Sequence, residues 1–379
     1  MSEQIVYDVA ITGGGLAGLS LAIQCAQKHY KVILFEKEEY PFHKVCGEYI
    51  SLESWDFLKR LGVELDNLNL PFIKTLQLSD GYGESYSFNL PLGGFGISRY
   101  LLDNILYNIA ITKGVEVCTN TKVNNIEFNK NCFFITTSNK TICAKVAVGS
   151  YGKRSNLDLK WKRSFAMQKA NALNNFIGIK YHIRYPHQQE NIYLHNFYKG
   201  YCGLSKIEDD KSCLCYLTTA ENLKNCNNSI KELETKILSK NPKLREIFAT
   251  ADFLFQQPLT ISQINFNKKP QIENHVLMLG DAAGVISPLC GNGMSMALHS
   301  SKLAFEQIEL FLCGGVTQSM MEKAYSLNWI KTFSMRLRTG RNVQRFFGGE
   351  ASTSFFIKTM HFFPRISKLI IRQTHGDRF

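Results

Sequence analysis

The chain has 379 residues, 45% of them hydrophobic and 20% charged, an ordinary globular balance with room for two domains and a large core. No run of eighteen apolar residues occurs, so no transmembrane helix is expected, and the start of the chain shows no positively charged leader. Eleven cysteines and nine histidines lie scattered without CxxC or HExxH spacing, which argues against a disulfide framework or a zinc site and for reduced thiols in a cytoplasmic setting.

The first predicted element is a short buried strand, Tyr7 to Thr12, running into Gly13-Gly-Gly15-Leu-Ala17-Gly18. Glycines at this spacing allow a tight turn, close approach of backbone to a pyrophosphate, and close packing of the next helix, expected over Leu16 to Lys28. The free N–H groups and dipole of that helix favour phosphate at its N-terminus. A second strand, Lys31 to Glu36, ends on a carboxylate 23 residues beyond Gly13, near the spacing at which such a group accepts from a ribose hydroxyl. Strand, glycines, helix, strand and terminal Glu36 in this order indicate a bound dinucleotide without saying which.

Further along, Arg99 and Asp103 fall at i,i+4 in a predicted helix, where they can pair on one face. Leu70 to Phe95 reads as strands. Phe176-Ile-Gly-Ile-Lys-Tyr-His-Ile, Asn191 to Phe197 and Ser212 to Thr218 read as antiparallel strands, and Ser229 to Thr250 as helix broken at Pro242. From Val276 the chain runs strand, Gly280-Asp281 turn, glycine-rich loop, then a helix opening near Gly293-Met294. A Gly-Asp turn presents a carboxylate at the carboxyl edge of a sheet, where ligands of doubly wound folds bind. Two such elements some 260 residues apart imply a cofactor larger than a nicotinamide dinucleotide, laid across the sheet edge.

The segments Asp8 to Glu36 and Gly280 to Leu298 resemble the FAD-binding motifs of the superfamily of aromatic-ring (class A) flavoprotein monooxygenases and geranylgeranyl reductases. Lys44-Val-Cys46-Gly47-Glu48 is similar to the Lys-x-Cys-Gly segment beside the flavin of the reductases. Ser98-Arg99-Tyr-Leu-Leu-Asp103 is similar to the helix whose arginine approaches the cofactor. The resemblance implies FAD contacts by Gly13, Gly15, Ala17, Gly18, Glu36, Cys46, Gly47, Arg99, Val123 (toward the adenine), Asp281 (toward the ribityl chain), Gly293 and Met294. It implies an α/β fold: a Rossmann-like FAD-binding domain of glutathione-reductase type, interleaved with an antiparallel β-sheet substrate domain and followed by a C-terminal helical region. The expected boundaries are 1–69, 96–155 and 270–312 for FAD, 70–95 and 156–269 for substrate, and 313–379 for the helices.

The chemistry implied is oxygen transfer to a lipophilic or aromatic small molecule, with NAD(P)H or a separate reductase as electron donor. Reduction of a C=C bond in a prenyl or polyene lipid is the alternative, and a non-catalytic flavin electron carrier a further one. Departures from the family patterns bear on this choice. The prenyl-pocket strand Tyr-x-Trp-x-Phe-Pro of the reductases is matched at Gly200 to Lys206 only by Tyr201. The Ala-Asp-Gly segment of the hydroxylases corresponds to Gly149-Ser150-Tyr151-Gly152, with Tyr151 in place of the acid. No Trp-x-Trp-x-Ile-Pro segment like that of the flavin halogenases occurs, so halogenation is set aside. Catalytic residues are not assigned; His43 and Tyr201 are polar candidates that fit structural roles as well.

The net charge of +12 is concentrated at the end: from Lys331 to Phe379 ten basic residues face two acidic ones. This stretch also holds Phe346-Phe347, Phe355-Phe356 and Phe362-Phe363. The favoured reading is a helical region that packs its apolar face on the body and solvates its charges; peripheral contact with the inner face of a membrane is the other. Nothing indicates nucleic-acid binding.

Overall fold

A computed structural model describes residues 6–169, 171, 173–347 and 349–379. Its first sheet is built on five parallel strands in the order β17 (Val276–Met278), β9 (Thr141–Gly149), β1 (Val6–Thr12), β2 (Val32–Phe35) and β6 (Glu116–Cys118). These are short runs of Val, Ile, Leu and Ala because both faces are covered, as parallel sheets require. β16 (Ile272–Glu273) extends one edge antiparallel to β17, and β7 (Val123–Asn129) and β8 (Cys132–Thr137) form a meander attached to the first half of β9.

The second sheet has the order β14 (Asp252–Phe253), β10 (Phe176–Arg184), β13 (Ser212–Thr219), β12 (Gly200–Lys206), β11 (Asn191–Phe197), β4 (Phe72–Ser79), β5 (Ser85–Gly96) and β3 (Tyr49–Ser51), with β15 (Leu259–Ile264) beside β10. All pairings are antiparallel except β11 with β4, which run parallel from Asn191↔Thr75 to His195↔Ser79. The expected antiparallel sheet is present, and this one join within it is parallel. The two halves of the sheet come from distant segments with no hairpin between them, so nothing forces an antiparallel pairing.

The helices are α1 (Leu16–Gln27), α2 (Trp55–Arg60), α3 (Arg99–Thr112), α4 (Asn156–Lys160), α5 (Ala220–Asn225), α6 (Ile230–Lys236), α7 (Pro242–Thr250), α8 (Gly293–Leu312), α9 (Gln318–Phe346), α10 (Glu350–Phe362) and α11 (Pro364–Thr374). Pro242 stands at the start of α7, where its missing N–H costs nothing, and Asn241 caps it by accepting from Lys243 N at 2.9 Å. α1 and α8 pack side by side over the parallel sheet, joined by Ser20 Oγ and Ser301 Oγ at 2.8 Å. On one face of the second sheet, Ile179, Leu214 and Tyr216 pack against Leu233, Leu244 and Ile247 of α6 and α7. On the other, Leu78, Leu90, Leu194 and Tyr201 pack against Ile357, Met360 and Ile371 of α10 and α11. Among the described residues no helix is long and apolar enough to cross a membrane.

Candidate functional site

β1 ends at Thr12 and Gly13 turns the chain with φ +107°, a conformation that only glycine adopts without strain. A Cβ there would lie 2.6 Å from the backbone of Ser150 and Tyr151, and one on Gly18 would overlap Gly13 O. Those two glycines are therefore demanded by packing. Gly15 is different: a Cβ on it would meet only Arg99 Nη2 at 3.5 Å and Lys44 Nζ at 3.7 Å. Gly15 is also the N-cap of α1, with no side-chain cap and no acidic residue in the first turn, which contains Ala17. A buried, uncapped helix start with two cations over it is complementary to a diphosphate.

Glu36 lies just beyond β2 with its carboxylate buried. It accepts from Gly14 N at 2.9 Å and Lys37 N at 2.8 Å, leaving lone pairs for a ribose hydroxyl. Thr121 N donates to Glu36 O at 2.8 Å, which sets the segment leading to Val123 against this end of the site. Val123 itself buries its side chain in the core, and its carbonyl accepts from Asn156 Nδ2 at 3.3 Å.

The second motif meets the first. Gly280, with φ +56°, lies so close that a Cβ on it would be 3.4 Å from the Cβ of Ala17. The half-exposed Asp281 carboxylate has Lys153 Nζ 3.5 Å away, and its carbonyl accepts from the buried Lys269 at 2.8 Å. Burial brings the Lys269 ammonium down to about 8. The turn is clamped by the fully buried Arg163, which donates to Ala282 O at 3.1 Å, Pro270 O at 3.0 Å and Asp158 at 2.9 Å. Tyr151 belongs to this clamp: its hydroxyl donates to Asp158 at 2.9 Å and accepts from Arg163 at 3.0 Å. Gly293 opens α8, whose N-cap Asn292 makes no capping bond, and Met294 is buried in its first turn. A second helix start thus lies uncapped at this edge of the sheet.

Arg99 does both things that its spacing allows. It holds Asp103 through two hydrogen bonds of 2.7 Å while its Nη2 stands over Gly15. Lys44 reaches the same Asp103 at 3.1 Å and Glu36 at 3.9 Å. Cys46 is half-buried and a Cβ on Gly47 would meet nothing within 4 Å, so the loop that carries Lys44 beside Gly15 is open at Gly47.

That loop is tied down by residues the sequence reading passed over. Lys180 Nζ donates to Lys44 O at 3.2 Å, Cys213 Sγ to Cys46 O at 3.2 Å, and Ser205 Oγ to Gly47 O at 3.3 Å. Strands β10, β13 and β12 each supply one tie. The loop ends at Glu48, which is fully buried and in the left-handed region at φ +54°. Its carboxylate accepts from Lys180 Nζ, from Arg99 N at 2.8 Å, and meets His182 Nε2 at 2.6 Å. Burial alone would raise this carboxyl, but the Lys180 ammonium and the His182 hydrogen bond outweigh it and bring it down to about 2. The only sequence signal was Lys180 and His182 at i,i+2 inside an apolar strand, which places both on one face. His43 stacks on Tyr100 at 4.5 Å and meets His182 edge-on; burial, then the Lys180 charge, push it down to about 4, so it stays neutral.

The loop Pro288–Gly291 lines an apolar chamber between the second sheet and the terminal helices. Leu78, Leu90 and Leu194 line the sheet wall, and Phe356, Met360 and Ile371 the helix wall. The chamber has a volume of about 70 Å³. Polar atoms on its lining lack partners, Tyr49 Oη and His375 Nε2, and in the same core Tyr201 Oη stands beside Ser287 and the Leu289 backbone without a well-formed hydrogen bond. The His375 Nδ1–H donates to Ile371 O at 3.0 Å, which leaves Nε2 as the acceptor, and burial lowers the affinity of the ring for a proton.

Comparison with known proteins agrees with this geometry. A family model described as FAD binding domain matches residues 8–44. The chain is 25% identical over 329 residues to Conditioned medium factor receptor 1 of Dictyostelium discoideum, covering 80% of this chain and 63% of that protein. It is therefore aligned to less than two thirds of that relative. It is 23% identical to a 1H-pyrrole-2-carbonyl-(peptidyl-carrier protein) brominase of Pseudoalteromonas luteoviolacea, covering 83% and 80%. In fold it is similar to the flavin-dependent brominase Bmp2, with a TM-score of 0.77 at 17% identity over 98% and 93% of the two chains. It is likewise similar to PqsL of P. aeruginosa in complex with 2-aminobenzoylacetate, at 0.76 and 14% over 94% and 100%. A missing Trp-x-Trp-x-Ile-Pro segment thus does not separate this fold from that of a halogenase, because a local segment does not carry the sheets. The chain thus has the fold of these flavin-dependent enzymes, and its residues 8–44 carry an FAD-binding sequence.

Proposed function

We propose that the chain is an FAD-dependent monooxygenase acting on a lipophilic or aromatic small molecule, with NAD(P)H or a separate reductase as electron donor. The observation that carries this reading is the apolar chamber, whose floor, Pro288–Gly291, leads directly into the uncapped start of α8. Reduced FAD supplies the activation of dioxygen: one oxygen atom enters the substrate, the other leaves as water, and the two electrons come from the donor. The chain's own residues bind, orient and exclude water. Arg99, Lys44 and the start of α1 hold the diphosphate, Glu36 the ribose, and Asp281 the ribityl hydroxyls. The ties from β10, β12 and β13 fix the Lys44–Glu48 loop, so the cofactor edge and the substrate sheet keep one geometry. Leu78, Leu194, Phe356 and Met360 desolvate the substrate. Tyr49 Oη and Tyr201 Oη offer hydrogen bonds, and neutral His375 accepts one at Nε2.

Halogenation is the second reading, favoured by the likeness to brominases. The test is to load the protein with FAD, reduce it with NAD(P)H or by light without air, and admit oxygen over a panel of aromatic and prenyl compounds with and without bromide. A product heavier by one oxygen atom, with substrate-stimulated oxygen consumption, is expected. A brominated product supports the second reading. A saturated product formed without oxygen, or reoxidation blind to every substrate, overturns both in favour of a reductase or an electron carrier.

A further inference from the structure

The outer surface of α10 and α11 differs from the rest of the molecule. Phe355 is 72% exposed, Phe362 70%, Phe363 58% and Leu369 55%, in a protein that buries most of its large apolar side chains. Phe355 and Phe362 are seven residues apart on α10, and Ile366 and Leu369 continue the stripe on α11. α11 has three distinct stripes. Ser367, Ile371 and Thr374 face inward and are buried, Ile366 and Leu369 face outward, and Arg365, Lys368 and Arg372 form a basic stripe one residue off the apolar one. Those three cations pair with no carboxylate among the described residues. From Ala351 to Phe379 the sole acidic side chain is Asp377.

The expectation that this region packs its apolar residues inward is therefore met on one side only. Phe356, Met360, Ile370 and Ile371 do face inward and wall the chamber, while the second set of aromatics stays in solvent. A contiguous exposed apolar stripe beside unpaired basic residues matches two layers of one partner at once. The aromatics suit the acyl boundary of a bilayer, and the cations suit anionic headgroups.

We infer that α10 and α11 form a docking surface for an anionic lipid bilayer. The exposed faces of the helices enter the interface while their buried faces roof the chamber. Where the chamber is the substrate site, as proposed above, the consequence is that substrate arrives from the membrane. The two helices that wall the chamber are then the elements in contact with the bilayer.

The test is co-sedimentation of the full FAD-loaded chain with phosphatidylcholine vesicles, with and without a quarter of phosphatidylglycerol, at low and high salt. Binding to the anionic vesicles that weakens at high salt is expected. Each basic residue near such a surface is worth about fivefold in partitioning, so the variant R365E/K368E/R372E should lose on the order of 100-fold or more. F362S/F363S/L369S should lose binding while keeping its FAD content and melting temperature. Three outcomes overturn the inference: no vesicle binding, equal and salt-insensitive binding to neutral vesicles, or a dimer or complex with an acidic carrier protein that uses this face without vesicle binding. Vesicle binding that persists when every oxygenation assay fails supports the docking surface and overturns the chamber as a substrate site.

Discussion

Replacing Lys180 with Met tests the buried staple between the cofactor loop and the second sheet. The substitution preserves much of the aliphatic stem and removes the ammonium that Glu48 accepts from. Glu48 would keep Arg99 N and His182 Nε2, but burial would then dominate and push its carboxyl up instead of down. Breaking a buried pair on one side costs about 3–5 kcal/mol. The depression of Glu48 from its ordinary 4.5 to about 2 gives a comparable figure, about 3 kcal/mol. With an unfolding entropy of about 2.1 cal/mol/K per residue, a chain of 379 residues should lose about 4–6 °C in melting temperature. The assay is thermal unfolding at neutral pH by circular dichroism, on apo and FAD-saturated protein. The double variant K180M/E48Q removes the stranded charge as well and should recover most of the loss. A melting temperature within 1 °C of the parent, or a double variant no better than the single, would refute the reasoning.

Three further outcomes follow from other parts of the site. Gly15→Ala adds a methyl group where nothing crowds it, at an ordinary negative φ, so the apo protein should melt within about 1 °C of the parent. FAD affinity, measured by fluorescence titration, should nevertheless fall at least about tenfold, since the methyl occupies the approach to the start of α1. Tyr201→Phe deletes a buried hydroxyl that stands beside Ser287 and the Leu289 backbone without a well-formed hydrogen bond, so stability should hold or rise by up to about 1 kcal/mol in denaturant titration; a loss of about 2 kcal/mol would show that those contacts bind it. In acid, Glu48 contributes stability that is complete above its ordinary 4.5 and is lost as pH falls through about 2, because its folded carboxyl is the more acidic one. Between those limits the parent should lose stability more steeply with falling pH than K180M/E48Q, and parallel curves would show that the pair carries no linkage.

The parts of this molecule legible from sequence were those whose physics is local. Gly13, Gly18 and Gly280 announce backbone conformations and close approaches that a side chain would prevent, and such needs leave a fixed spacing in the chain. Glu36 and Asp281 are legible because each closes a strand at a defined distance from its glycines. Their convergence, with Gly280 against Ala17, became legible only through the family resemblance. The Glu48–Lys180–His182 staple was not legible, because a loop packs on a strand 132 residues further along the chain, and a lysine in an apolar strand reads as exposed. The parallel join of β11 to β4 left no mark either, since either pairing satisfies the same alternation. The terminal phenylalanines show the reverse problem. Their doublets predicted burial, and one member of the pairs Phe355-Phe356 and Phe346-Phe347 is buried or half-buried while its neighbour stays in solvent, as adjacent positions on a helix must.

The packing of α1 against α8 also sets a schedule for biosynthesis. Leu19, Leu21, Ala22 and Ile23 are fully buried, yet the helix that covers part of this surface and the strand β17 that completes the parallel sheet are drawn from residues 276–312. At ~5–20 residues per second, roughly 14–57 s separate the emergence of α1 from that of its partner α8. During that interval the nascent chain carries an open apolar face and a half-made phosphate cradle. The two helix starts and the Gly280–Asp281 turn therefore come together only at the end of synthesis.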